Sequence, residues 1–349
     1  MAADLWLRVG GEALDTIGWY GDIEVTDRWP GICYGLSWRM DLPAGARPPA
    51  MMPHDGEPAP LVEAFVGSAP RWTGRLLDAN WADGEFAAVG LYREAENVLA
   101  IDGNGNAIND IGWAMYYASV GYGRGVISWG ALESFTPVTE DDATDLNYLA
   151  ALIDEYAEQN GRRWGVTADR LMFTAEDWVD PQLQVYPSVA DLGATSEGQV
   201  ARVYGRYVNS STLDFATAIA GPGGAGGMEE AVDLTKYGYL TPAKAQAIVD
   251  GYYAQASTTW NFTNGLTLAE GMVTTPGGGV VDMSQVVARK PIRVHGMRDP
   301  RTGQAYTDFV IGESIWTPDA DGIVQANPVA MVGRDSESVL EDAAKAVLA

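Results

Sequence analysis

The sequence predicts a mainly β chain that carries a small α+β insertion, on three observations. Near both ends, short stretches alternate apolar and polar side chains, the period-2 signature of half-buried strands. Clusters of Gly, Pro, Asn and Asp separate those stretches, as turns do. Two longer segments, one in each half, instead repeat apolar residues at spacings of three and four, the period of a helix.

Residues 1 to about 105 read as β-rich. Trp38 to Leu42 and Val62 to Gly67 alternate, and Trp72 to Leu77 and Glu85 to Tyr92 form a hairpin about an Asp83-Gly84 turn. The Pro-rich stretch Ala46 to Pro60 is a loop. A short helix is expected from about Ala107 to Ala118, with Ile108, Ile111 and Met115 on one face and GYGRG (Gly121 to Gly125) as its stop. In TDLNYLAALIDEYAEQNG, Leu146, Leu149, Leu152, Ile153 and Tyr156 make a stripe between an N-cap at Thr144 and a C-cap at Gly161. Strands at Arg163 to Val166 and Arg170 to Thr174 follow, and helix plus hairpin read as an α+β unit ending near Tyr207. Thr241 and Pro242 start a second clear helix, with Ala245, Ile248, Val249, Tyr252 and Ala256 on its buried face. The segments TNGLTLAEGMVTT, ARKPIRVHGM and TDFVIGESIWT return to strand pattern, and SESVLEDAAKAVLA closes as a short helix. The expected division is 1–135 (β with a short helix), 136–210 (α+β), 211–335 (helix plus β) and 336–349 (helix).

Composition restricts the chemistry. A net charge of -25, from 47 acidic and 22 basic residues, opposes a grip on DNA phosphates or anionic lipid. No apolar run reaches the ~20 residues of a bilayer span, and the N-terminus lacks a secretory pattern, so synthesis and folding in the cytoplasm are expected. The one cysteine, Cys33, reads as a core residue. His54 and His295 lie far apart, without zinc spacing and without a G-x-S-x-G motif nearby. DGNGNAINDIGW (Asp102 to Trp113) begins like a calcium loop but has Ala107 at position six and Trp113 at position twelve, so it reads as an Asx and Gly turn. GYGRG has the wrong spacing and place for a dinucleotide fold. In GPGGAGGMEE (Gly221 to Glu230) no lysine follows the glycines and two glutamates do, so the run reads as a surface loop leading to the strand AVDL. Paired carboxylates of a glycosidase are neither excluded nor supported by so many acids. Trp72 and Trp81 offer two readings, as core or interface residues and as sugar-stacking platforms, and the first is preferred. No catalytic, cofactor-binding or metal-binding residue is assigned, and no cofactor is expected.

Four segments, Trp72 to Asn97, Asp145 to Phe173, Ala231 to Gly251 and Asp299 to Trp316, resemble in order and spacing the minor tail proteins of long-tailed phages of actinobacteria, the tail-tip or baseplate hub group. The resemblance implies split β-barrel domains around an α+β insertion. It also implies a non-enzymatic virion protein of the tail tip, a homo-oligomer and expected trimer, joining the tail tube to the distal tip. Its expected partners are other copies of itself, tail-tip and tail-tube proteins, and DNA only in transit through a channel. The acidic charge suits such a channel, whose walls must not bind phosphates. The rival expectations are a tail-associated cell-wall hydrolase and a host-carbohydrate-binding module.

Overall fold

The computed structural model describes residues 5–43, 45–52, 58–102, 104–108, 128–129, 147–159, 162–176, 180–186, 194–195, 200–222, 228–256, 261–262, 265–298, 303–319, 322–328, 340, 343–344 and 346–348. Contacts group the chain into two compact units, each discontinuous in sequence. One comprises residues 1–190, 266–297 and 306–328, and the other 191–265, 298–305 and 329–349. This grouping differs from the linear four-segment division, because C-terminal strands return to pair with N-terminal ones.

The strands of the first unit before residue 190 are β1 (Leu5–Val9), β2 (Glu12–Ala13), β3 (Trp19–Arg28), β4 (Gly31–Asp41), β5 (Leu61–Val66), β6 (Ala69–Asn80), β7 (Glu85–Gly90), β8 (Ser128–Trp129), β9 (Arg162–Val166), β10 (Leu171–Glu176) and β11 (Leu183–Val185). The second unit contributes β12 (Ala194–Thr195), β13 (Val200–Asn209), β14 (Phe215–Ala220), β15 (Met228–Asp233), β16 (Tyr239–Leu240) and β17 (Asn261–Phe262). The chain then re-enters the first unit with β18 (Leu266–Leu268), β19 (Val273–Thr274), β20 (Pro291–His295), β21 (Tyr306–Thr317) and β22 (Ile323–Pro328). The fold is mainly β, as the alternation predicts.

In the first unit the described strands form one sheet whose main path runs β19-β11-β20-β21-β3-β4-β7-β6-β5-β1-β2. The predicted strand at Trp38 is the end of the longer β4, where Leu36, Trp38 and Met40 are buried and Arg39 and Asp41 exposed. Trp38 lies opposite Phe86 of β7, with the rings stacked at 5.6 Å. Gly84 takes φ +69° in the turn that precedes β7, a conformation in which a side chain is strained. The strand expected to reach Tyr92 stops at Gly90, and a helix, α1 (Tyr92–Asn97), begins there. Leu91 at the N-cap and Ala95 one turn on are both buried, the spacing that sets two side chains on one face of a helix. The helix α2 (Leu149–Gln159) sets Leu149, Leu152 and Ile153 into a core with Leu91, Ala95, Trp164 and Met172. β9 and β10 form the expected antiparallel pair, and β9 also joins β4 in parallel at Ile32↔Val166. The insertion is therefore an extension of the main sheet. Of the helix expected at 107–118, Ala107 instead bridges Ile101 and Ile108 is not helical, while residues 109–118 and the GYGRG stop lie outside the described residues.

Charged side chains fasten this sheet from inside. Ile23, Val25 and Asp27 share the buried face of β3, so a carboxylate occupies a core position at 0% exposure. Arg71 of β6 meets both its oxygens and Ser314 of β21 donates a third hydrogen bond. The Asp27 carboxylate is thus met by three hydrogen bonds, while Arg71 Nε is buried without a hydrogen-bond partner among the described residues, and loss of Arg71 would strand a buried charge. Glu63 of β5 is held in the same manner between Arg8 of β1 and Arg170. Burial would raise its carboxyl pKa, but the hydrogen bonds and charges of the two arginines keep it below its ordinary value.

The second unit is a β14-β13-β15 sheet, with β16 also paired to β13, covered on one face by the helix α3 (Pro242–Ala256). Thr241 accepts a hydrogen bond from Lys244 N at 3.3 Å, and Pro242 follows at the first helical position, as predicted. Ala245, Ile248, Val249 and Tyr252 are buried against Val203, Tyr207, Ala218 and Val232. Gly205 on β13 lets the helix approach, because a Cβ there would run into Val249 Cγ2 and Leu234. Leu340, Ala343 and Ala344 join this core and are helical. Among the described residues, no helix is long and apolar enough to cross a membrane.

Candidate functional site

The residues that the sequence raised for chemistry are dispersed. Cys33 sits on β4, 2% exposed, and burial first and Asp27 second push its thiol up to about 12. A thiol so placed is not a nucleophile near neutral pH. His295 on β20 stacks on Tyr186 at 4.7 Å, with Nε2 3.3 Å from Gln184 Oε1. These neighbours are an amide and a phenol, neither a nucleophile nor an orienting carboxylate of a hydrolytic triad. His54 and Gly121 to Gly125 lie outside the described residues. Asp102 accepts from Asn104 N, Asn106 N and Asn106 Nδ2 at 2.8 to 2.9 Å, the Asx turn expected of that loop. Those bonds, chiefly that from the Asn106 side chain, hold its pKa below the ordinary value. Among the described residues no group of three or more His, Cys, Asp or Glu is placed to hold a metal ion.

Trp72 is 0% exposed, which bears out its preferred reading as a core residue and removes it as a sugar-stacking platform. Trp81 is half-buried with its ring edge-on to Phe86 at 5.2 Å. The loop expected through Glu230 is shorter than its sequence suggests, because Met228, Glu229 and Glu230 are already in β15, parallel to β13. Their polarity misled, because β15 places Glu229 and Asp233 on the solvent face of a sheet that is buried on one side only.

That solvent face is the strongest candidate for function. The register sets Arg202, Tyr204 and Arg206 of β13 beside Glu229, Ala231 and Asp233 of β15. On the other flank, Tyr204, Arg206 and Val208 lie beside Ile219, Thr217 and Phe215 of β14. Phe215 is 64% and Ile219 46% exposed, and Tyr239 of β16, beside Val208, is 69% exposed. The Arg206 guanidinium lies 4.3 Å from the Phe215 ring centre. Arg202 donates to Tyr204 Oη and Tyr204 donates to Glu229, each at 3.3 Å. Aromatic residues and arginine grouped on an open face are the composition of a binding surface rather than of a reaction centre. The sequence analysis missed it because β13 and β14 carry apolar residues on both faces, which erases the alternation that marks a strand.

No known protein family matches the sequence, and no curated protein does. Solved structures do match by fold. The 43 kDa tail protein of prophage MuSo2 from Shewanella oneidensis superposes with a TM-score of 0.56 at 11% identity, over 94% of this chain and 98% of that one. A tail protein from Neisseria meningitidis MC58 gives 0.55 at 10% identity, over 95% and 98%. The chain has the fold of phage tail proteins. The prophage tail protein gp18 from Listeria monocytogenes EGD-e extends the likeness to 99% of both chains, with a TM-score of 0.50 at 10% identity. At such identities the likeness concerns the path of the chain and not its individual side chains.

Proposed function

We propose that the chain is a structural protein of a phage tail, working at the tail tip as a hub or adaptor ring between the tail tube and the distal tip. The observation that carries this reading is the likeness to three tail proteins over nearly the full length of both partners in each comparison. In this reading the chain acts by assembly and not by catalysis. Copies of it form a homotrimer, other tail-tip and tail-tube proteins dock on the ring, and DNA passes through it in transit.

The charge supports the channel. With -25 net charge, walls lined by carboxylates repel the phosphate backbone, whereas lysine- or arginine-lined walls would bind it and slow its passage. The test is imaging of the purified protein. Averaged electron micrographs are expected to show threefold rings with an axial opening, and monomers or rings of another order would refute the trimer. A ring whose lumen proved neutral or basic would refute the role given to the charge.

A further inference from the structure

The sheet face of the second unit opposite α3 carries charge in two neighbouring rows of opposite sign, and that pattern selects its partner. Arg202 and Arg206 stand on β13, and directly beside them in register stand Glu229 and Asp233 on β15. Arg206 contributes to holding the Asp233 carboxyl below its ordinary pKa, after the larger effect of hydrogen bonds from Thr235. An acidic partner of another kind would meet Glu229 and Asp233 as like charges, and a basic one would meet the arginines. An identical face, turned about a two-fold axis parallel to the strands, sets each basic row against the other copy's acidic row and meets no like charge. The same face exposes Phe215, Ile219 and Tyr239, apolar area that a monomer leaves in water at a cost in free energy.

We propose that this face is a self-complementary contact, through which a second copy of the chain docks so that Arg202 and Arg206 of one copy meet Glu229 and Asp233 of the other. The proposal rests on the reading that the chain self-assembles, and adds to it a two-fold contact distinct from a threefold ring. Applied to such a ring, it joins two rings into six copies.

The experiment is the mass of the full chain in solution by light scattering or sedimentation, for the natural protein and two double variants. R202E/R206E makes the face wholly acidic, and E229R/D233R makes it wholly basic. Each variant is expected to halve the particle mass at concentrations where the natural chain is fully associated, with association weakened about ten-fold or more by like-charge contact. An equimolar mixture of the two variants is expected to restore the full mass, since the altered faces again complement each other. Arg206, Glu229 and Asp233 are exposed and Arg202 is half-buried, so circular dichroism of each variant, expected unchanged, separates lost docking from lost folding. Masses that ignore both reversals, or a mixture that stays at half mass, would overturn the proposal while leaving a ring reading intact. Halving and rescue without threefold symmetry would support the contact and refute the trimer. A natural chain that remains a single copy at high concentration would overturn both.

Discussion

The two units use their arginines in opposite ways. In the first, Arg71 is buried against Asp27, and Arg8 and Arg170 converge on Glu63, so the cations fix the strands of one sheet to each other. In the second, Arg202 and Arg206 stand on a sheet face that no described element covers, among exposed Phe215, Ile219 and Tyr239. These arginines of the first unit are thus paired within it, while the second unit leaves both charge and apolar area facing outward. That difference separates a scaffold from a docking face, and substitutions in each unit can test it.

The largest effect is expected at Arg71. R71L leaves Asp27 charged and buried, and should cost about 3–5 kcal/mol in denaturant unfolding, whereas D27L/R71L should recover most of that loss. If R71L were neutral, the ion pair would not fasten the sheet. In the second unit, Gly205→Val drives a side chain into α3 and should cost about 1–3 kcal/mol. Thr241→Ala removes the N-cap of α3 and should cost about 1 kcal/mol, read in the same measurement. Smallest of all, Phe215→Ser should change stability by no more than about 0.5 kcal/mol, yet weaken self-association, because an exposed aromatic contributes only when a partner covers it.

Acid should also distinguish the units. The Glu63 carboxyl is held below its ordinary value, so its contribution is complete above the unfolded value near about 4.3 and is lost as pH falls through the lower folded value. Stability of the natural chain is therefore expected to fall below about pH 4. E63Q should flatten that fall, and an unchanged acid limb would remove Glu63 from the account.

What was legible in the sequence follows from how one-sided each element is. α3 was read to its first residue because a Thr-Pro start and a stripe at Ala245, Ile248, Val249 and Tyr252 are local signals. The hairpin after Asp83-Gly84 was legible for the same reason. β3 was not, because its buried row ends in Asp27, whose partner Arg71 is 44 residues away and invisible to local pattern. The docking face was illegible because Tyr204, Val208, Phe215 and Ile219 face solvent, so hydrophobicity no longer distinguishes inside from outside. Return of β21 to β3, at Ile315↔Thr26, is a long-range pairing that no local period encodes.

The central claim is a place in the phage tail, and its most direct test is immunogold labelling of phage particles with an antibody against this chain. Gold confined to the distal end of the tail is the predicted result. Label on the head or along the whole tail, or absence of the chain from purified particles, would contradict it.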